Sequence, residues 1–222
     1  MQGEIATVGA QAEQGSQRPR DKHYSTILRA AQEEFAVHGF KGARMQAIAD
    51  RAGLPKANVH YYFKNKNSLY LAVLDNILNS WNDFFNDVSV KDDPALSLDT
   101  FIRQKVRISF EDPSASKLFA NEIIQGAPYL SGYLQDVMKP WVTERAEIIQ
   151  GWIDAGKMPE TDPVLLIFMI WATTQHYADF QVQVQSILET TDYDEEQINR
   201  IADFVSSTIL KGCGLQPPVS IS

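Results

Sequence analysis

Apolar residues recur at intervals of three and four along most of the chain, which is the spacing of an amphipathic helix. Gly39 is expected to end the first such segment because glycine favours the position after a helix. The apolar positions of that segment are Ile27, Ala30, Ala31, Phe35 and Val37. No stretch alternates apolar and polar residues for long enough to predict a strand. The pattern predicts an all-α fold of about nine helices.

Turn-forming residues divide the rest of the chain into further helical segments. Gly53 is expected to stop the second helix, and Pro55 suits the first position of the third because a proline there loses no hydrogen bond. Residues 88–94 (VSVKDDP) are expected to end the fourth helix. The predicted helices after the first lie at about Met45 to Ala52, Pro55 to Tyr61, Lys66 to Phe85, 97–110, 114–125, 129–155, 162–187 and 194–211.

The segment MQAIADRAGLPKANVHYYFK, which starts at Met45, has the pattern of a helix-turn-helix. Its fifth residue, Ala49, is small enough for two helices to cross closely, and its ninth, Gly53, tolerates the positive φ of the turn. Its fifteenth, Val59, is expected to be buried between the helices. Ile48 and Ala52 complete the apolar seam. The second helix of such a pair enters the major groove of DNA.

The second helix of this motif is expected to present its outward side chains to base edges. Asn58 can pair with adenine, and Lys56 can reach guanine or phosphate. For His60, base readout and a solvent-facing or phosphate-contacting position are both open. Basic residues on either side of the helix suit phosphate contacts. The predicted DNA-binding residues are Arg44, Lys56, Ala57, Asn58, His60, Tyr61, Lys64 and Lys66.

The charge of the chain is divided by position. Residues 1–70 contain ten Lys/Arg against six Asp/Glu, a net +4, whereas residues 71–222 contain ten against twenty-two, a net −12. This division indicates that only the N-terminal part meets a polyanion. Residues 1–21 have no apolar period and are predicted to be a disordered tail. Its basic end, with Arg18, Arg20 and Lys22, is either solvated or an arm that contacts phosphate or the minor groove.

Several protein classes are not expected. The single cysteine, Cys213, cannot form an intramolecular disulfide. No N-terminal stretch has the order of a signal peptide, and the apolar run at residues 164–172 is about half as long as a membrane span, so a soluble cytoplasmic protein is expected. The chain has no G-x-S-x-G or H-E-x-x-H motif, no nucleotide loop and no cysteine placed as a nucleophile, so neither an enzyme nor a cofactor is expected.

From Ile27 to Leu71 the chain resembles the TetR family of bacterial regulators. One departure is Ala43, where many members have a threonine that caps the second helix and contributes about 1 kcal/mol. The resemblance implies a dimer in which ligand binding changes the separation of two recognition helices. The residues that carry it are Gly39, Phe40, Ile48, Ala49, Ala52, Gly53, Tyr62, Phe63, Lys66 and Leu69.

Residues 116–130, 148–158 and 162–180 and the terminal IADFVSSTILKG resemble the pyrimidine-utilisation, or Rut-type, repressor branch of this family. This resemblance implies a repressor that a uracil-like ligand releases from a pseudo-palindromic operator. The alternative is a regulator of drug efflux or fatty-acid metabolism with a larger apolar ligand. The expected organisation is a tail (1–21), a helix-turn-helix domain (22–66), a ligand-binding and dimerisation domain (67–214) and a second tail (215–222).

A uracil-like ligand is flat and carries both donors and acceptors, so its pocket should offer aromatic faces and a few polar groups. A small, polar-lined pocket would favour a pyrimidine, and a broad aromatic one without convergent polar groups would favour the alternative. Gln175 can donate and accept at once, and it shares a helical face with Trp171 and Thr174. The predicted ligand-binding residues are Trp81, Phe119, Glu122, Tyr129, Trp171, Thr174 and Gln175.

These side chains also have ordinary structural interpretations. Trp171 and Phe119 can belong to the core or to a dimer interface, and Glu122 can pair with His176 inside the protein. His176 and Asp179 are too few to predict a metal site.

The last two helices, 162–187 and 194–211, are the predicted homodimer interface. The first of them is apolar on nearly all sides, and the core of one subunit cannot easily cover so much apolar surface. Its large apolar residues include Leu165, Ile167, Phe168, Met169 and Ile170. A two-fold dimer would place its recognition helices one DNA turn (about 34 Å) or a multiple apart, which predicts the pseudo-palindromic operator.

Overall fold

The structure is a computed structural model, which describes the backbone of residues 12–82 and 85–218 and side chains from residue 22 onward, except that of Asn82. All regular secondary structure in these ranges is helical, which confirms the predicted fold class. A π-helix (Leu134–Met138) lies between a short helix that ends at Tyr133 and a longer one that begins at Lys139. The helices are α1 (Ala12–Gly42), α2 (Met45–Ala52), α3 (Lys56–Tyr62), α4 (Lys66–Asn82), α5 (Pro94–Glu111), α6 (Pro113–Ile124), α7 (Ser131–Tyr133), α8 (Lys139–Asp154), α9 (Pro163–Asp179), α10 (Gln181–Leu188) and α11 (Glu195–Gly212).

The first helix is longer than the apolar pattern indicates. It begins at Ala12, so residues 12–20 are helical although they were expected to belong to a disordered tail. Alanine, glutamate, glutamine and arginine in this stretch have high helix propensity, but Gly15 and Pro19 disfavour a helix interior, so local propensity does not by itself explain this extension. Residues 1–11 and the side chains of the predicted basic arm before Lys22 lie outside the described residues. Gly39 interrupts the helical path as predicted, with φ 64° and ψ 175°.

Two segments that were predicted as single helices are interrupted. The segment 129–155 contains the π-helix, and the segment 162–187 bends at Phe180, which has φ −109° and ψ 30°. Two side chains of α6 form hydrogen bonds with residues on either side of this bend. Ser116 donates to Asp179 (2.5 Å), and Lys117 donates to the side-chain oxygen of Gln181 (2.6 Å). Apolar spacing continues through both interruptions and therefore did not reveal them.

The chain divides into two compact units, Met1–Asn76 and Ile77–Ser222, with the boundary inside α4. The core of the first unit is centred on Phe35, whose ring meets that of Tyr70 at 4.8 Å between centroids. It takes fully buried residues from all four helices, namely Ile27, Ala31, Phe35, Ile48, Ala49, Val59 and Leu69. This core holds α2 and α3 against α1.

The core of the second unit lies among α5, α8, α9 and α11, around the fully buried Trp152. Polar contacts between α5 and α11 reinforce it. Asp99 accepts a hydrogen bond from Ser206 (2.5 Å), and Arg103 bridges Asp99 (2.8 Å) and Asp203 (2.6 Å). In the described part of the chain, every helix is too short or too polar to cross a membrane.

Candidate DNA-binding surface and effector cavity

A left-handed turn at Gly53 joins α2 to α3. Gly53 has φ 64° and ψ 29°, and its N–H donates to the carbonyl of Asp50 (3.1 Å). The N–H of Leu54 donates to the carbonyl of Ala49 (3.0 Å), which completes a Schellman motif. Ala49 and Val59 are fully buried. The structure therefore confirms the predicted roles of the small residue, the glycine and the buried valine.

Two details at the helix starts differ from the predictions. The N-cap of α2 is Arg44, which makes no side-chain capping bond, and Ala43 lies one residue earlier with 3% of its surface exposed. A threonine at position 43 would therefore not occupy the N-cap position of α2, so the expected loss of capping free energy was wrong. Pro55 is the N-cap of α3 and not its first helical residue, so α3 extends from Lys56 to Tyr62.

Most of the predicted DNA-binding side chains are accessible. On α3, Asn58 is half-buried and Tyr61 is 72% exposed. The side chain of Lys22, at the basic end of the N-terminal tail, is exposed. The remaining exposed residues of the predicted set are Arg44, Lys56, Ala57, His60 and Lys64. All of these positions except Lys22 and Arg44 lie in α3 or directly after it.

Lys66 is engaged inside the first unit. Its ammonium donates to the carbonyls of Lys41 (3.3 Å) and Ala43 (3.1 Å) and lies 4.8 Å from the ring centroid of Phe40. It thereby ties the start of α4 to the connection between α1 and α2. We therefore leave Lys66 out of the proposed DNA-binding surface.

The second unit contains a cavity of about 40 Å³ among α4, α5, α6, the π-helix, α8 and α9. It is lined by Leu78, Trp81, Phe101, Lys105, Phe119, Met138, Trp141, Trp171 and Gln175. Four of the seven predicted ligand-binding residues are therefore brought together, namely Trp81, Phe119, Trp171 and Gln175.

Two aromatic pairs form the walls of this cavity. Trp81 and Phe119 meet edge to face, with centroids 5.4 Å apart and planes at 74°. Trp141 and Trp171 are stacked, with centroids 6.1 Å apart and planes at 24°. The walls therefore offer aromatic faces and edges to a small flat ring.

The other three predicted ligand-binding residues lie outside the lining. The hydroxyl of Thr174 donates to the carbonyl of Ile170 (2.7 Å), and the carbonyl of Thr174 accepts from Ser109 (2.6 Å) on α5. The carboxylate of Glu122 accepts from the backbone N–H of Tyr129 (2.6 Å). These groups are used to hold helices and a turn in place.

Lys105 is the lining residue of most consequence that the sequence interpretation missed. It is 6% exposed, and its ammonium lies 4.6 Å from the ring centroid of Trp81. Burial lowers the pKa of Lys105 to about 8, and the charge of Asp179 opposes that shift. A pattern that could have revealed it is the buried stripe of α5, in which Lys105 follows Phe101 by four residues.

A larger cleft of about 500 Å³ lies among α9, α10 and α11. Exposed apolar residues border it, including Ile187 (71% exposed) and Phe204 (67% exposed). The smaller cavity is the candidate effector site, because side chains from six elements line it and four of them, Leu78, Trp81, Phe101 and Lys105, are buried. His176 and Asp179 do not extend to a metal site, since the described residues contain no group of three His, Cys, Asp or Glu side chains that could hold an ion.

Known protein families match both parts of the chain. Residues 27–73 match the family described as bacterial regulatory proteins, tetR family, and residues 74–216 match the YcdC-like protein, C-terminal region. The chain belongs to the TetR family of bacterial transcriptional regulators. It is 38% identical to the HTH-type transcriptional regulator RutR of Escherichia coli, over 95% of this chain and 97% of RutR.

Solved structures share the fold. The fatty acid degradation regulator FadR of Bacillus halodurans superposes with a TM-score of 0.63 at 20% identity, covering 85% of this chain and 98% of FadR. FadR of Bacillus subtilis in complex with stearoyl-CoA has a TM-score of 0.61 at 20% identity, with the same coverage. Regulators of this family bind operator DNA, respond to small-molecule effectors and dimerise. Family membership confirms the prediction of a regulator rather than an enzyme.

Proposed function

We propose that the chain is a repressor that a small pyrimidine, such as uracil or thymine, releases from its operator. The observation that carries this proposal is the cavity in the second unit, where aromatic walls surround two polar side chains. Among the described residues, neither the ammonium of Lys105 nor the amide of Gln175 has a hydrogen-bond or ion-pair partner. A ring with carbonyl acceptors and N–H donors would supply the missing partners.

The size of the cavity favours a small ligand over the fatty-acid or drug alternative. A volume of about 40 Å³ holds two or three water molecules. A six-membered ring with two exocyclic oxygens is larger than this volume, so the cavity must widen to admit it. Met138 can make room because its unbranched side chain adapts easily and its backbone lies in a π-helix. A fatty acyl chain would have to displace several buried aromatic rings, each at a cost of about 2 kcal/mol.

One hydrogen bond links the cavity to the segment that follows α4. Trp141 lines the cavity, and its indole N–H donates to the side-chain oxygen of Asn86 (3.0 Å). From α8, Arg145 donates to the backbone carbonyls of Phe85 (2.5 Å) and Asn86 (2.9 Å). Because α4 begins at Lys66 in the first unit, a ligand that moves Trp141 would act on the end of the helix that both units share. This arrangement supports control of DNA binding by the effector.

The exposed surface of α3 supports its proposed place in the major groove. Lys56→Ala should weaken binding to all DNA sequences alike, and it should reduce the slope of log affinity against log salt by about 1. The matched control is Lys91→Ala, at an exposed lysine of the second unit, which should change neither quantity. An unchanged salt slope in Lys56→Ala would place that side chain away from phosphate.

The exposed apolar face of α9 and α11 supports a homodimer through the last two helices. On α9, Leu165 is 62% and Met169 is 55% exposed, while Leu166 and Ile170 point into the core of the same subunit. Phe204 adds to this face from α11. A partner subunit would cover these side chains, and its recognition helix would read the second half of the operator.

The experiment uses duplex DNA that the protein selects from a random-sequence pool. We expect the selected sequences to contain two inverted half-sites, and we expect saturating uracil or thymine to dissociate the complex in a gel-shift titration. Gln175→Leu should weaken the response to uracil, whereas the exposed Gln150→Leu on α8 should not. Full retention of the complex at saturating uracil and thymine would disprove the effector assignment and leave DNA binding intact. A single unpaired half-site would contradict the dimer.

A further inference from the structure

Two cationic side chains are buried in the second unit, and their surroundings differ. Arg145 is 4% exposed, and its guanidinium meets two backbone carbonyls and the carboxylate of Glu144 (2.7 Å). Lys105 is 6% exposed, and its ammonium has no hydrogen bond or ion pair within the described residues. Among the described residues, the two terminal nitrogens of Arg145 are thus paired although its Nε has no partner, whereas the ammonium of Lys105 has no such partner at all.

An unpaired ammonium is expensive to bury, so its position calls for an explanation. The face of Trp81, 4.6 Å away, stabilises the charge only in part. Asp179 acts on Lys105 through its charge, but its carboxylate accepts the hydrogen bond of Ser116 (2.5 Å) and does not pair with the lysine. Lys105 lines the cavity, so a bound ligand could supply the acceptor that the described residues do not.

We propose that Lys105 is the specificity-determining residue of the effector site and donates a hydrogen bond to an exocyclic oxygen of the effector ring. This inference rests on the proposed function, namely that a small pyrimidine occupies the cavity. Gln175 then pairs with an N–H and the adjacent carbonyl of the ring, and Lys105 takes the other carbonyl. The site selects an oxygen-bearing ring, because an apolar ring of the same shape would leave the ammonium buried without an acceptor.

The contact can be tested by changing one atom of the ligand. Sulfur accepts hydrogen bonds poorly, so 2-thiouracil and 4-thiouracil each weaken one of the two carbonyl contacts of uracil. Lys105→Met removes the ammonium and keeps an unbranched side chain, Lys105→Arg keeps a charged donor, and Lys91→Met is the matched control at an exposed site. Dissociation constants for the three ligands are measured by calorimetry on each full-length protein, after circular dichroism shows unchanged helix content.

We expect the wild type to prefer uracil over both thio-analogues, because Gln175 contacts one carbonyl and Lys105 the other. Lys105→Met should bind uracil about ten- to a hundredfold more weakly, as for loss of a charged hydrogen bond. It should lose the preference for oxygen over sulfur at one of the two carbonyls and keep the preference at the other. Lys105→Arg should retain both preferences, and Lys91→Met should behave as the wild type. If Lys105→Met does not fold, Lys105→Gln replaces it with the same expectation.

Two results would overturn this inference alone. One is uracil binding of unchanged affinity in Lys105→Met. The other is a loss of affinity by the same factor for all three ligands, because Lys105 would then shape the cavity without touching the effector. If the wild type binds neither uracil nor thymine, the proposed function itself is wrong, and this inference falls with it.

Discussion

Replacing Gly53 with alanine measures the cost of the left-handed turn between α2 and α3. Gly53 has φ 64° and ψ 29°, and a Cβ atom added there would meet nothing within 4 Å. The penalty is therefore confined to the local backbone, at about 1–2 kcal/mol for an L-residue in this region. The smaller conformational freedom of alanine in the unfolded chain offsets part of that penalty. We expect a net loss of about 1 kcal/mol, which lowers the Tm of a unit of this size by about 4–8 °C.

The assay is thermal unfolding followed by circular dichroism at one protein concentration. Gly53→Asn should recover part of the loss, since asparagine tolerates the left-handed region better than alanine. Gly212→Ala is the matched control, because Gly212 ends α11 without a positive φ and its added Cβ also meets nothing within 4 Å. Equal Tm values for Gly53→Ala and the wild type, or equal losses at both glycines, would refute the reasoning.

Three further changes test the second unit. Trp141→Phe keeps a ring in the cavity and removes the hydrogen-bond donor to Asn86. In gel shifts at equal occupancy of the effector site, uracil should therefore release less DNA from this variant than from the wild type. Equal release would show that this hydrogen bond does not transmit the effect of the ligand. The pKa of Lys105 is about 8 in the folded chain, whereas its ordinary value is 10.5. Between these two pH values the unfolded chain binds more protons than the folded chain, so the free energy of unfolding rises with pH across this window. Urea unfolding from pH 7.5 to 10 should show this rise relative to Lys105→Met, and a constant difference would contradict it. Phe204→Glu places a charge on the exposed face of α11, so light scattering should detect monomers. An intact dimer would show that the interface does not include this face.

The helix-turn-helix could be predicted in detail because its constraints are local. Ala49, Gly53 and Val59 lie within eleven consecutive residues, and each requirement follows from how two adjacent helices cross. Lys66 lies just beyond the motif and could not be assigned in the same way. Its partners are backbone carbonyls of the connection between α1 and α2, which no residue spacing discloses.

The effector cavity could be predicted only in part. Trp171 and Gln175 were found because they are one helical turn apart and chemically distinctive. Lys105 was missed because a lysine on an amphipathic helix usually faces solvent. Its burial depends on α4, α6 and α9, whose lining residues are up to seventy positions away along the chain.

The amino-acid sequence by itself determined the all-α class, the positions of most helices and the geometry of the DNA-reading motif, because helical periodicity and turn chemistry act between near neighbours. Only the tertiary structure decided which side chains meet around the small cavity, where the π-helix and the bend at Phe180 interrupt long helices, and which of the basic residues are free. Those outcomes depend on packing between distant segments, where burial and hydrogen bonding outweigh local preference.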